Sequence, residues 1–187
     1  MYHLMAGPRK RIPEETRAKL LAAAQAEFNT RGFDGTDTNR IARRAGYAPQ
    51  TFYRHFPDKT AIFLAVYDAW WRAESAALAQ SNARTARQAA RVALDFHTRW
   101  RVFRRSLRHL AIVDAKVRNA RTLARKEQIA RWKRAGSRRP NGELAAALLT
   151  AERLLDAAAE GELADLGLKP AAVLGLASAA MAALMRQ

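Results

Sequence analysis

The sequence predicts an all-α fold, and three observations carry that expectation. Alanine and arginine are abundant, Gly and Pro number only 9 and 6 in 187 residues, and the β-branched residues that favour strands are thin. Apolar residues recur at spacings of three and four along most of the chain, the helical period rather than the alternation of a strand. Residues that start and stop helices fall at the ends of those periodic runs. The length suits one substantial domain or a small module joined to a larger one. With 49% hydrophobic and 27% charged residues, extended disorder is disfavoured.

The elements follow in order. Residues 1–13 contain Gly7, Pro8, Arg9, Lys10, Arg11 and Pro13 and read as a flexible basic arm. From Glu14 to Thr30, Leu20, Leu21, Ala24 and Phe28 keep the helical period, Glu14 and Glu15 suit the positive amino end, and Arg31-Gly32 closes the helix. Asp37 can cap a second, short helix from Thr38, with Ile41, Ala42 and Ala45 on one side and a stop at Gly46. A third helix starts at Pro49, where a missing N–H costs nothing, and ends before Pro57. Asp58 can cap a long fourth helix bearing Ile62, Phe63, Val66, Tyr67 and Trp70. Beyond about residue 82 the pattern stays helical, with breaks near Ser106 or Asp114 and at 135–142 and 160–170. The domains expected are the arm 1–13, a three-helix unit 14–57, and a larger helical unit 58–187.

The charge is uneven. Residues 84–139 carry 18 basic and 3 acidic side chains, net +15, whereas residues 140–187 carry 3 and 6. A basic surface attracts polyanions by neutralising phosphates and releasing their counterions; an arginine-rich solvated surface fits the same composition. With no cysteine, disulfides, thiol catalysis and thiolate zinc sites are excluded. His3, His55, His97 and His109 have no metal-ligand spacing with nearby carboxylates. The longest apolar run, 171–185, is 15 residues, short of the ~20 that span a membrane, so a cytoplasmic location is expected. No nucleophile with its base, phosphate cradle or paired carboxylates points to an enzyme, and no cofactor is implied.

Residues 49–56, PQTFYRHF, are the most informative stretch. With Phe52 turned to the core, a rotation of 100° per residue brings Phe56 to the same side. Gln50 and Arg54 then point outward, flanked by Thr51 and Tyr53. An amide can bond an adenine edge, a guanidinium a guanine, the Thr methyl a thymine, and Tyr and His can bond phosphate. Ile41, Ala42, Gly46 and Phe52 reproduce the buried spacing of a helix-turn-helix, a motif that lays its last helix in the major groove. His55 also suits a plain surface position, and Tyr53 a half-buried one.

Residues 32–63 resemble the amino-terminal domain of the TetR family of one-component transcriptional regulators. The likeness rests on Gly32, Phe33, Thr36, Ile41-Ala42, Ala45-Gly46, Tyr53, His55-Phe56 and Lys59. It implies that Thr38, Asn39, Tyr53, His55 and Lys59 hold phosphates, and that Pro49, Gln50 and Thr51 approach base edges. Two departures stand out: the family usually has Ser at the position of Ala48 and often Gly at that of Gln50. The resemblance also implies a repressor of a palindromic operator on double-stranded DNA, released by a small molecule bound in the carboxyl-terminal unit. Activation, ligand-independent regulation and charge-driven, non-specific nucleic-acid binding remain open.

The family implies pairing through carboxyl-terminal helices. Leu144, Leu148, Ala151, Leu155 and Ala158 step by four and three, and Val173, Ala177, Ala180 and Leu184 repeat the seam. These seams suit a homodimer interface, and an intrachain hairpin fits them too. Trp71, Phe96, His97, Trp100, Phe103, His109 and Trp132 are candidates for lining an effector cavity, or for plain core. The +15 block suggests an anionic effector held by arginine.

Overall fold

The computed structural model describes residues 11–81 and 83–185, which form ten α-helices and no strand. The chain divides into two compact units, the first ending at Tyr67 and the second beginning at Asp68.

The first unit contains α1 (Arg11–Arg31), α2 (Thr38–Arg44), α3 (Pro49–Tyr53) and the start of α4 (Lys59–Gln80). Of the arm expected at 1–13, residues 1–10 lie outside the described residues, and 11–13 already belong to α1. Pro13 is accommodated because N–H groups of a first turn have no intrahelical acceptor. Asp37 caps α2 by accepting from the Arg40 N–H at 2.7 Å. The turn after α2 is closed by Tyr47 N–H to Ala42 O at 2.9 Å and Gly46 N–H to Arg43 O at 3.0 Å. That pairing needs a left-handed residue, and Gly46 has φ +81°. Asp58 accepts from the Ala61 N–H at 2.7 Å and so starts α4.

The core of this unit is aromatic. Phe28, Phe52 and Phe63 are fully buried with Leu20, Ile41 and Ile62, and the Phe28 and Phe63 rings meet edge to face at 5.1 Å. Because Ile62, Phe63 and Val66 are buried here, the first two turns of α4 complete the unit. The boundary therefore falls at Tyr67 rather than at the expected Pro57.

The second unit holds the rest of α4 and α5 (Ala86–Arg99), α6 (Arg101–Val113), α7 (Ala115–Arg134), α8 (Asn141–Glu160), α9 (Glu162–Asp165) and α10 (Pro170–Met185). Thr85 and Gln88 form a reciprocal capping box at α5. The break expected near Ser106 or Asp114 is at Asp114, which caps α7 through the Lys116 and Val117 N–H groups; Ser106 lies inside α6. A further corner lies at Trp100, between α5 and α6. The stretch 160–170 is not all loop, since it contains α9. Helices α5, α8 and α10 pack together around Ala89, Ala90, Ala93, Ala151, Leu155, Ala177 and Met181. Small side chains let these backbones approach closely.

Candidate nucleic-acid interface

Phe52 and Phe56 are 0% and 3% exposed, with ring centroids 5.9 Å apart, and the Arg17 guanidinium of α1 lies over Phe56 at 4.9 Å. Pinned by these rings, α3 turns its other side outward. Gln50 and Arg54 are exposed, Pro49, Thr51 and His55 are half-buried, and Tyr53 is 55% exposed. Regular helix ends at Tyr53, yet Phe56 N–H still bonds Phe52 O at 3.0 Å, which keeps Arg54 and Phe56 at the angles the sequence predicts.

Two residues expected at phosphates meet directly. The Thr38 and Tyr53 hydroxyls are 3.0 Å apart, so the start of α2 and the end of α3 share one polar edge, with Asn39 exposed beside them. Lys59 is more committed than expected. Its Nζ donates to Phe33 O at 2.9 Å and Thr36 O at 3.0 Å and sits 4.0 Å from the Phe33 ring centre. It fastens the α1–α2 loop to α4 with two of the three N–H groups of its ammonium. Ala48 at the head of α3 makes no side-chain cap.

The expected effector residues divide. Phe103 is fully buried core, and His109 is exposed on α6. Phe96, Trp100 and Trp71 are half-buried; Phe96 meets Trp70 at 5.8 Å, Trp100 meets Phe103 at 5.8 Å, and Arg131 covers Trp71 at 4.5 Å. Trp132 is half-buried on α7. His97 is 2% exposed, with Nδ1 2.9 Å from Asp156 and Nε2 3.0 Å from Glu74. Burial and nearby Arg104 lower its pKa, but the two carboxylates outweigh them and raise it above the ordinary value. A groove of about 340 Å³ between α8 and α10 is lined by Arg139, Glu143, Ala146, Ala147, Thr150, Ala180 and Ala183, none of them an expected effector residue.

The charge and the seams need correction. Glu152, Asp156 and Glu160 stand four apart on α8. They take Arg121 and Arg125 of α7 and Arg104 and Arg108 of α6 as ion-pair partners. Four of the eighteen basic residues in 84–139 thus face carboxylates of their own chain. Of the expected pairing residues, Leu144, Leu148, Ala151, Leu155, Val173 and Ala177 are buried inside the protomer, which bars them from a second copy. Ala158, Ala180 and Leu184 are half-buried, the latter two packed against the α5–α8–α10 core. The seams are the intrachain hairpin. The outward residues of these helices include Leu149 and Leu176, 47% and 44% exposed.

Sequence reasoning also missed Glu27, buried on α1. Its signal was available: it lies seven residues after Leu20 and one before Phe28, on the inward stripe.

A rigid three-helix frame that presents amide, guanidinium and phenol on one short rod suits a DNA groove, and the class this defines is the helix-turn-helix DNA-binding protein. Residues 20–66 match the family model described as bacterial regulatory proteins, tetR family. The amino-terminal unit is thus similar to the DNA-binding domain of the TetR family of transcriptional regulators. A relative from Bacillus subtilis (strain 168), the uncharacterized HTH-type transcriptional regulator YdgC, is 43% identical over 49 residues, covering 26% of this chain and 25% of the relative. The aligned part is thus about a quarter of either protein. Solved structures extend the likeness in fold. A transcriptional regulator from Rhodococcus sp. Rha1 aligns with TM-score 0.65 at 18% identity over 93% of this chain and 96% of that one. LfrR from Mycobacterium smegmatis, in complex with proflavine, aligns with TM-score 0.58 at 18% identity over 93% and 98%.

Proposed function

We propose that the protein is a sequence-specific transcriptional regulator that binds a palindromic operator as a homodimer and represses until a small molecule bound in the second unit releases it. The observation that carries this reading is the orientation of α3, with Phe52 and Phe56 inward and Gln50, Thr51, Tyr53 and Arg54 at the surface. Gln50, Thr51 and Arg54 read base edges, while Thr38, Asn39, Tyr53, His55 and the remaining Lys59 N–H hold phosphates. Twofold pairing is a demand of the DNA, because one short helix reads few base pairs. We assign the pairing to the outward sides of α8 and α10, around Leu149 and Leu176. The release step follows from linkage: a ligand that favours one arrangement of the paired reading helices lowers affinity for the other.

The experiment is a nuclease footprint on DNA flanking the gene, repeated with Gln50→Ala and Thr51→Ala. A symmetric protected site is expected, with each substitution costing about 1–3 kcal/mol of discrimination per lost base contact. Unchanged sequence preference in both variants would leave only charge-driven binding. A thermal-shift panel of acidic, neutral and cationic compounds tests the effector; no stabilisation by any class, together with undiminished operator binding, removes the release step.

A further inference from the structure

We propose that Glu27 withholds three arginines from DNA phosphate and so sets the sequence-independent, electrostatic part of this protein's DNA affinity. The inference rests on the DNA-binding reading above. Glu27 projects from the inward stripe of α1 with its side chain 6% exposed, and three guanidinium groups converge on it. Arg44 Nη1 donates to Oε1 at 3.0 Å, Arg31 Nε lies 3.4 Å from Oε2, and Arg40 Nε lies 4.0 Å from the same oxygen. Only Arg44 makes a directed hydrogen bond; the other two are held by charge. The arginine side chains are themselves 41% to 51% exposed, so each has N–H groups on the solvent side.

Geometry places Arg40 and Arg44 near the expected phosphate contacts. Arg40 and Arg44 share the seven-residue helix α2 with Thr38 and Asn39, and such a helix is only about 10 Å long. An arginine side chain can cover much of that span. Sequence-independent binding grows with every cation that replaces a counterion on the duplex. A carboxylate shielded from water attracts a guanidinium more strongly than an exposed one does, so it competes with the phosphates for all three. Arg43, on the same helix but outside this cluster and exposed, is left to the DNA.

The test is fluorescence anisotropy with a labelled random-sequence duplex of about 30 base pairs, followed against salt concentration for the full-length chain. Glu27→Gln is expected to steepen the slope of log affinity against log salt by about 0.9 for each arginine released, and to bind more tightly at low salt. Glu27→Asp, which keeps the charge, should return the slope toward wild type. Glu14→Gln, which makes the same change in net charge at an exposed position of α1, should leave it unaltered. A wild-type slope in Glu27→Gln, whatever its melting temperature, overturns the proposal, as does an equal steepening in Glu14→Gln. Should Glu27→Gln not fold, Arg44→Gln decides: an unchanged slope supports the proposal, and a slope shallower by about 0.9 overturns it. Wild-type protein that binds no duplex even at low salt overturns the DNA-binding reading itself; binding with an unaltered slope overturns only this one.

Discussion

Arg104 holds Asp156 with two parallel hydrogen bonds, Nε to Oδ1 and Nη2 to Oδ2, each 2.9 Å. Both residues are 2% exposed, and the guanidinium also lies over Trp70 at 4.6 Å. His97 and Arg108 reach the same carboxylate. Such a pair is weak evidence of net stabilisation, because desolvating both charges offsets much of their attraction. Removing one member is another matter. Asp156→Ala leaves Arg104 buried without its carboxylate and is expected to cost about 3–5 kcal/mol in urea unfolding. A loss under about 1 kcal/mol would show the site to be wetter than its burial indicates.

The same cluster sets a pH dependence. Facing His97 are Asp156 of α8, Glu74 of α4 and Arg104 of α6. Its folded pKa is raised, so the stability it contributes is present below its ordinary value of 6.5 and is lost as pH rises through the folded value. Asp156 has the opposite sign. Burial alone would raise its pKa, but His97 and Arg104 together hold it far below the ordinary 3.8, so its contribution is lost as pH falls below that value. Urea midpoints are expected to decline on both sides, and His97→Gln to remove the alkaline decline.

Ala48 heads α3 in extended geometry, φ −69° and ψ 151°, with no side-chain cap. Ala48→Ser supplies the missing acceptor and is expected to stabilise by about 1 kcal/mol. An unchanged melting temperature would mean that Pro49 already fixes the start of the helix.

Tyr53 is bonded to Thr38 through its hydroxyl. Tyr53→Phe removes that bond and the neutral phosphate donor proposed above, so affinity is expected to fall by about 1 kcal/mol on operator and unrelated duplexes alike. The salt slope should not move, since no cation is lost. A change confined to the operator would make Tyr53 a base-reading residue.

Leu149 and Leu176 face outward whereas Leu144 is fully buried. Leu149→Glu with Leu176→Glu is expected to yield folded monomers in sedimentation, and Leu144→Ala to destabilise the protomer by about 2–5 kcal/mol. A double variant that still sediments as a dimer would place the pairing surface elsewhere.

Much of the DNA-binding unit was legible because its signals are local. Asp37, Gly46, Pro49 and Asp58 punctuate the helices through backbone geometry that depends on immediate neighbours, and the 100° turn from Phe52 alone orients Gln50 and Arg54. The second unit was less legible. A heptad seam such as Leu144 to Leu155 reports only that a helix buries one side, and the partner that buries it is not written in the spacing. The corner at Trp100 lacks a glycine, proline or capping side chain, so nothing local announced it.

The sequence by itself determined an all-helical chain, the placement of α3, and an excess of positive charge concentrated in residues 84–139. Only the tertiary structure decided where that charge acts. Arg104, Arg108, Arg121 and Arg125 belong to that block, and α8 lays Glu152, Asp156 and Glu160 beside them. Periodicity fixes which residues share a face of one helix, but ion pairing between helices depends on which faces meet, and that is set by packing over long separations in the chain.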